Sequence, residues 1–156
     1  NRSTIGTYIS YLEEAFLCFS IPNFTDTIPL RETVRKHYFY DNGILNLFLI
    51  QPETKLLENL VAISLFHHHG ERLYYYNYGV EVDFYIPDEQ LGIQVSYSIA
   101  DTQTCNREIT ALLKLNAYKP LKRMLVITYN EENTLIKEGH TIEIVPVWKW
   151  LVELDS

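Results

Sequence analysis

Residues 81–98 read EVDFYIPDEQLGIQVSYS, and the way this stretch folds decides the architecture of the whole chain. Two alternating runs flank a turn, and successive side chains of a strand point to opposite faces. On a regular strand Val82, Phe84 and Ile86 share one side, with Glu81, Asp83 and Tyr85 on the other. In the second run Ile93, Val95 and Tyr97 share a side, and Gln94, Ser96 and Ser98 lie opposite. With the apolar sides against one core, Asp83, Gln94 and Ser96 point the same way. One helix earlier, Glu58 sits off the main apolar stripe of LLENLVAISL. A helix carboxylate, a strand carboxylate and an amide oxygen can then converge on one hard cation, Mg²⁺ or Mn²⁺, which activates a bound water. The plain alternative is that Asp83 and Glu58 are ordinary solvated acids.

The rest of the chain supplies the frame. Ile5, Tyr8, Ile9, Leu12 and Phe16 recur at helical spacing, so a helix is expected from Ser3 to Phe19. Pro22 and Pro29 bracket an irregular link. RKHYFYDNG then reads as a basic segment, a short strand and an Asp-Asn-Gly turn, followed by a short buried helix or strand over Ile44–Ile50. A second helix is expected from Glu53 or Thr54 to His69, capped by Gly70, with Leu57, Leu60, Val61, Ser64 and Leu65 on one face. RLYYYNY, VEVDFYI and GIQVSYS read as three strands. A helix from Asp101 or Thr102 to Pro120 follows, then buried strands RMLVIT and TIEIVPV and a closing helix VWKWLVEL. The expected order is helices, then helix, three strands, helix, two strands and helix, a mixed α/β class.

Composition narrows the function. The 156 residues are 47% hydrophobic and 21% charged, which is a globular and not a disordered balance. A net charge of -7 argues against a broad basic face for nonspecific nucleic-acid binding. Two distant cysteines, Cys18 and Cys105, suit a reducing compartment, with a single disulfide between them as the alternative, and no apolar run approaches a membrane span, so a cytoplasmic protein without membrane attachment is expected. The chain opens at Asn1 without methionine and is expected to be a piece of something longer.

The ordered set LLEN on a helix, EVDF on a strand and IQV on the next strand resembles the PD-(D/E)XK nuclease superfamily, with its restriction-endonuclease-like fold. More narrowly, TYISYLEEAFL, KHYFYDNGI, LLENLVAISL, EVDFYI, IQVSYS, REITALLKL and VPVWKWLVEL follow one another as in the C-terminal half of a group of bacterial and archaeal AAA-type ATPases. In that group a P-loop ATPase module precedes a small winged-helix-like segment and a nuclease-like domain of unknown function. The resemblance implies a central mixed sheet flanked by helices over residues 31–156, preceded by a helical, winged-helix-like remnant over residues 1–30. It implies Glu58, Asp83 and Gln94 as the metal-binding and catalytic positions, with Mg²⁺ or Mn²⁺ beside a phosphodiester. Ser96 stands where the motif lysine would orient the attacking water. Gln94 also removes one formal negative charge from the site. Lys55, one turn before Glu58, and Arg107 and Lys114 on the following helix are the candidate substitute cations. ATP belongs to the expected upstream module, because no GxxxxGK[ST] occurs in this chain.

HHHG at 67–70 is read as a helix end and not a metal site, since adjacent histidines lie about 100° apart around a helix. Tyr74, Tyr75, Tyr76 and Tyr78 are read as strand-face aromatics before base-stacking ones, and RETVRKH at 31–37 as a solvated basic link. Two functions follow. One is a nuclease-fold accessory domain of an ATPase, acting on nucleic acid with a divalent ion. The other is a noncatalytic protein-interaction module that keeps the fold and has lost the chemistry.

Overall fold

A computed structural model describes residues 2–24 and 35–154, without the side chains of Arg2 and Ser3. In chain order the elements are α1 (Arg2–Glu14), β1 (Cys18–Pro22), β2 (Arg35–Phe39), α2 (Asn42–Asn46) and α3 (Glu53–His69). They continue with β3 (Tyr74–Asn77), β4 (Glu81–Ile86), β5 (Leu91–Val95), α4 (Thr102–Tyr118), β6 (Arg123–Thr128), β7 (Asn133–Lys137), β8 (His140–Pro146) and α5 (Val147–Leu154). The main sheet is six-stranded and mixed, in the order β3-β4-β5-β6-β8-β7. The meander β3-β4-β5 is antiparallel, β5-β6-β8 is parallel, and β7 returns antiparallel on the far edge.

The central strand β6 is apolar on both faces because helices cover both. Along β6, Met124 and Val126 join Ile109, Leu112 and Leu115 of α4. The intervening Leu125 and Ile127 join Leu57, Val61 and Leu65 of α3 and Trp150 of α5. A parallel β5-β6 pair needs a long crossover, and α4 supplies it, started by Asp101, whose carboxylate accepts from the Thr104 N–H at 2.7 Å. Gly92 permits the close approach of that helix, since a Cβ there would lie 2.9 Å from Leu121 Cδ1 and 3.2 Å from Leu112 Cδ2.

The α/β class, α3 with its Gly70 cap and the strands around Asp83 follow the sequence expectation. Several details differ. α1 stops at Glu14, and residues expected to finish it form β1, after Phe16 takes φ +55. The stripe Ile5, Tyr8, Leu12 and Phe16 is exposed and not buried among the described residues. Asp41-Asn42-Gly43 is not a free turn: the Asp41 carboxylate caps α2 by accepting from Gly43 N–H and Ile44 N–H. Leu47, Phe48 and Ile50 then lie at the surface, so this apolar run is not a core element. β7 was unforeseen because its Asn133, Thr134 and Ile136 are exposed and show no apolar alternation. The signal was present in Glu138-Gly139, both at positive φ (54° and 77°), which forms the tight turn into β8.

The expected division between residues 30 and 31 falls in 25–34, outside the described residues. On either side of it, β1 and β2 pair antiparallel from Cys18↔Phe39 to Pro22↔Arg35. Phe19 and Ile21 of β1 share a core cluster with Leu57, Phe84, Ile93 and Trp150. No described helix is long and apolar enough to cross a membrane. Cys18 and Cys105 are both free thiols.

Candidate functional site

The site grows from a defect in the β3–β4 ladder. Tyr74 pairs with Tyr85 but Tyr76 pairs with Val82, so β4 carries one extra residue at Asp83–Phe84. The bulge breaks strict alternation. Val82 joins Tyr85 in the α4-side cluster, while Phe84 and Ile86 face α3. The expected common side for Val82, Phe84 and Ile86 is therefore corrected. The physical consequence is that Asp83 is re-aimed, with a local twist that ends the regular β4–β5 register at Phe84↔Ile93.

Beyond that pair, side chains replace backbone in holding the strands together. Asp83 Oδ2 accepts from the Val95 N–H at 3.0 Å. Gln94 Oε1 accepts from the Asp83 N–H at 2.8 Å, and Gln94 Nε2 donates to the Glu81 carbonyl at 3.0 Å. Gln94, expected as a metal ligand, has both amide atoms committed to β4. Gln94→Glu removes the amide donor to Glu81 O and adds a carboxylate beside Asp83. We expect it to lower stability by about 2 kcal/mol at pH 8, read by urea unfolding. An unchanged midpoint would show that the amide clamp contributes nothing.

Glu58 is not on the helix surface. It is buried on the inward face of α3 beside Leu57, Asn59, Val61 and Ala62. Its Oε1 accepts from Tyr38 Oη at 3.0 Å and its Oε2 from Lys55 Nζ at 3.0 Å. Burial and the neighbouring Glu58 carboxylate push the Tyr38 phenol well above its ordinary range, so it stays a donor.

The decisive residue is Lys36. From β2 its ammonium reaches Glu81 Oε1 at 2.5 Å, Asp83 Oδ1 at 3.1 Å and Glu58 Oε1 at 3.6 Å. The Tyr75 ring lies beneath it at 5.5 Å. Burial pulls the ammonium down, but Asp83, Glu58 and Glu81 outweigh it and hold Lys36 above the ordinary lysine range. Burial pushes the Asp83 carboxyl up to about 6, against the downward pull of Lys36.

Sequence reasoning placed Lys36 in a solvated basic link, together with residues 31–34, which lie outside the described residues. The available signal was parity: in RKHYF, Lys36 and Tyr38 lie on one side of the strand, and both reach Glu58. Of the proposed substitute cations, Lys55 does pair with Glu58. Arg107 lines the adjoining cavity but pairs with its neighbour Glu108 at 2.6 Å, and Lys114 is an exposed side chain of α4 outside that lining. Ser96 is buried, and its hydroxyl donates to the Ser98 carbonyl at 2.9 Å, closing the turn after β5.

A cavity of about 550 Å³ opens between these acids and α4, lined by Glu58, Glu81, Asp83 and Gln94 on one side and Asn106 and Arg107 on the other. The divalent ion that the resemblance implies would need oxygens at about 2.0–2.1 Å in near-octahedral array. Here an ammonium occupies the point toward which Glu58, Glu81 and Asp83 converge, and the fourth expected oxygen, Gln94 Oε1, is turned to a backbone N–H. Among the described residues no cluster of three or more His, Cys, Asp or Glu side chains is arranged to hold a metal. The donor set as it stands does not fit a divalent ion.

His69 Nδ1 lies 3.5 Å from Glu89 Oε1, while Tyr75 and Tyr76 enter the cores on opposite faces of the sheet.

Residues 1–55 match the family described as Domain of unknown function (DUF8612). No solved structure matches the chain. The chain is 38% identical over 170 aligned positions to Uncharacterized protein MJ1544 of Methanocaldococcus jannaschii. That alignment takes in 96% of this chain and 36% of the archaeal protein, so the chain spans little more than a third of the length of the relative it is similar to.

Proposed function

We propose that this chain is a restriction-endonuclease-like domain of the PD-(D/E)XK kind that keeps the scaffold and works as a noncatalytic interaction module beside an upstream P-loop ATPase module. α1 and the β1–β2 pair are read as what remains of a winged-helix-like segment. The observation that carries the reading is the Lys36 ammonium set among Glu58, Glu81 and Asp83, with Gln94 tied to the β4 backbone. Three carboxylates face the two ammonium groups of Lys36 and Lys55, so the motif acids are largely neutralised from within. The greater length of the archaeal relative supports the multidomain setting, and ATP is expected to bind only to the upstream module. Nucleic acid is the partner of the competing reading, which the shared cavity of Glu58 and Asp83 favours: a metal-dependent phosphodiesterase.

Cleavage assays with Mn²⁺ or Mg²⁺ on single- and double-stranded DNA and RNA separate the two. The expected result is no cleavage above that of an Asp83→Ala variant. Turnover in the wild type that Asp83→Ala abolishes would establish the phosphodiesterase.

A further inference from the structure

We propose that Lys36 is the resident cation of the acid cluster, standing in place of a divalent metal ion, so that the folded domain is metal-independent. The proposal concerns the same cluster as the functional reading above but does not require catalysis to be lost.

Three independent contacts define the position. The Lys36 nitrogen lies within 4 Å of carboxylates from α3 (Glu58, 3.6 Å) and from β4, at its first residue (Glu81, 2.5 Å) and at the bulge (Asp83, 3.1 Å). The side chain is 19% exposed, so this is not a surface pair formed at leisure in water. Its origin is also fixed. Lys36 lies on β2, opposite Ile21 of β1, and three residues on, Phe39 is bonded through both N–H and C=O to the buried Asn59 amide of α3. The strand that carries the ammonium is thus anchored to the helix that carries Glu58.

A hydrated divalent ion cannot enter while the ammonium remains, because like charges would share one desolvated point at contact distance. The carboxylates themselves are not saturated: each oxygen has two lone pairs, and most have one donor. The ammonium is therefore what excludes the metal. Removing the ammonium, while keeping a side chain of similar length, leaves Glu81 and Asp83 without an ammonium partner, and Glu58 with Lys55 alone, around a space that a cation can fill.

The test compares the wild type with Lys36→Met. Mn²⁺ is added at millimolar concentration to ¹⁵N-labelled protein, and paramagnetic broadening is read at the Asp83, Gln94 and Val95 amides, with calorimetry of Mn²⁺ binding in parallel. The wild type is expected to show no selective broadening and no saturable binding. Lys36→Met is expected to broaden selectively at those amides and to bind Mn²⁺ about tenfold more tightly or better, and adding Asp83→Asn to it should abolish the effect.

Selective broadening of the wild type at the same amides, with the affinity of the variant, would overturn the proposal. So would a folded variant that gains no binding. If Lys36→Met does not fold, Lys36→Gln serves for the gain of binding, and the wild-type spectrum still decides exclusion. Cleavage without added metal would overturn the noncatalytic reading and leave this inference standing. Mn²⁺ bound by the wild type without cleavage would do the reverse.

Discussion

Lys36→Met is expected to lower the unfolding free energy by about 3 kcal/mol at pH 8, the scale for breaking one partner out of a buried ion cluster, and by clearly less at pH 5. The pH dependence has a definite sign. Lys36 is held above the ordinary lysine value of 10.5, so its stabilising contribution is complete below that pH and is lost only as the pH rises past it. Between pH 5 and 8 the ammonium charge does not change.

Asp83 does change in that window. Its carboxyl is pushed by burial from 3.8 up to about 6, so the folded state holds a proton that the unfolded state has released. The contribution of Asp83 to stability therefore falls as the pH rises from about 4 through about 6, and is flat above. Without Lys36 the downward pull on Asp83 is gone, and the upper limit of the falling region moves to higher pH. The variant then continues to lose stability where the wild type has levelled off. Urea unfolding at pH 5 and pH 8 measures the two differences. Equal differences at both values would mean that the ammonium does not offset the carboxylates.

The second large effect is expected from Asn59→Ala, at about 3 kcal/mol. Asn59 is 2% exposed. Its Oδ1 accepts from the Phe39 N–H at 2.9 Å, and its Nδ2 donates to the Phe39 carbonyl at 2.9 Å and to Asn42 Oδ1 at 2.8 Å. A helix side chain thus presents β2 with the donor and acceptor that a neighbouring strand would present. Alanine leaves both backbone groups of Phe39 without their partner in a half-buried place. Because Phe39 lies three residues from Lys36, the two substitutions should couple: the double variant is expected to lose less than the sum of the singles. Strict additivity in a double-mutant cycle would show that Asn59 does not position Lys36.

The parts of the fold visible in the sequence were those with a single strong period. α3, with its Gly70 cap, and the strand RMLVIT, buried on both faces, combine a long apolar pattern with clear stops. What escaped detection depended on pairing between distant segments. The start of β1 reads as the tail of α1 because the alternation of Phe19, Ser20 and Ile21 is too short before Pro22 to signal a strand, and only β2 gives it a partner. The surface helix α1 and strand β7 misled in opposite ways, one by showing an apolar stripe that stays exposed, the other by showing none.

The site follows the same rule. Glu58, Asp83 and Gln94 were legible as neighbours because helix and strand order place them together. Their roles were not, because Lys36 arrives from a strand 47 residues before Asp83, and no local pattern reports on that distance. The bulge at Asp83–Phe84 was equally invisible, since EVDFYI is a regular alternation on paper.

The clamp in which Asp83 and Gln94 each hold the other strand's backbone has a consequence for anyone wishing to build a working E-x-K pair into this chain. Changing Gln94 to glutamate removes the amide donor to the Glu81 carbonyl, and changing Ser96 to lysine removes the hydroxyl that closes the turn at Ser98 and puts a long charged side chain at a buried position. Each single step moves downhill in stability before any activity can reward it. On the proposed nuclease-like reading, the route to an enzyme is a concerted change at positions 36, 94 and 96, and a library that varies them one at a time would discard the combination before it was ever assembled.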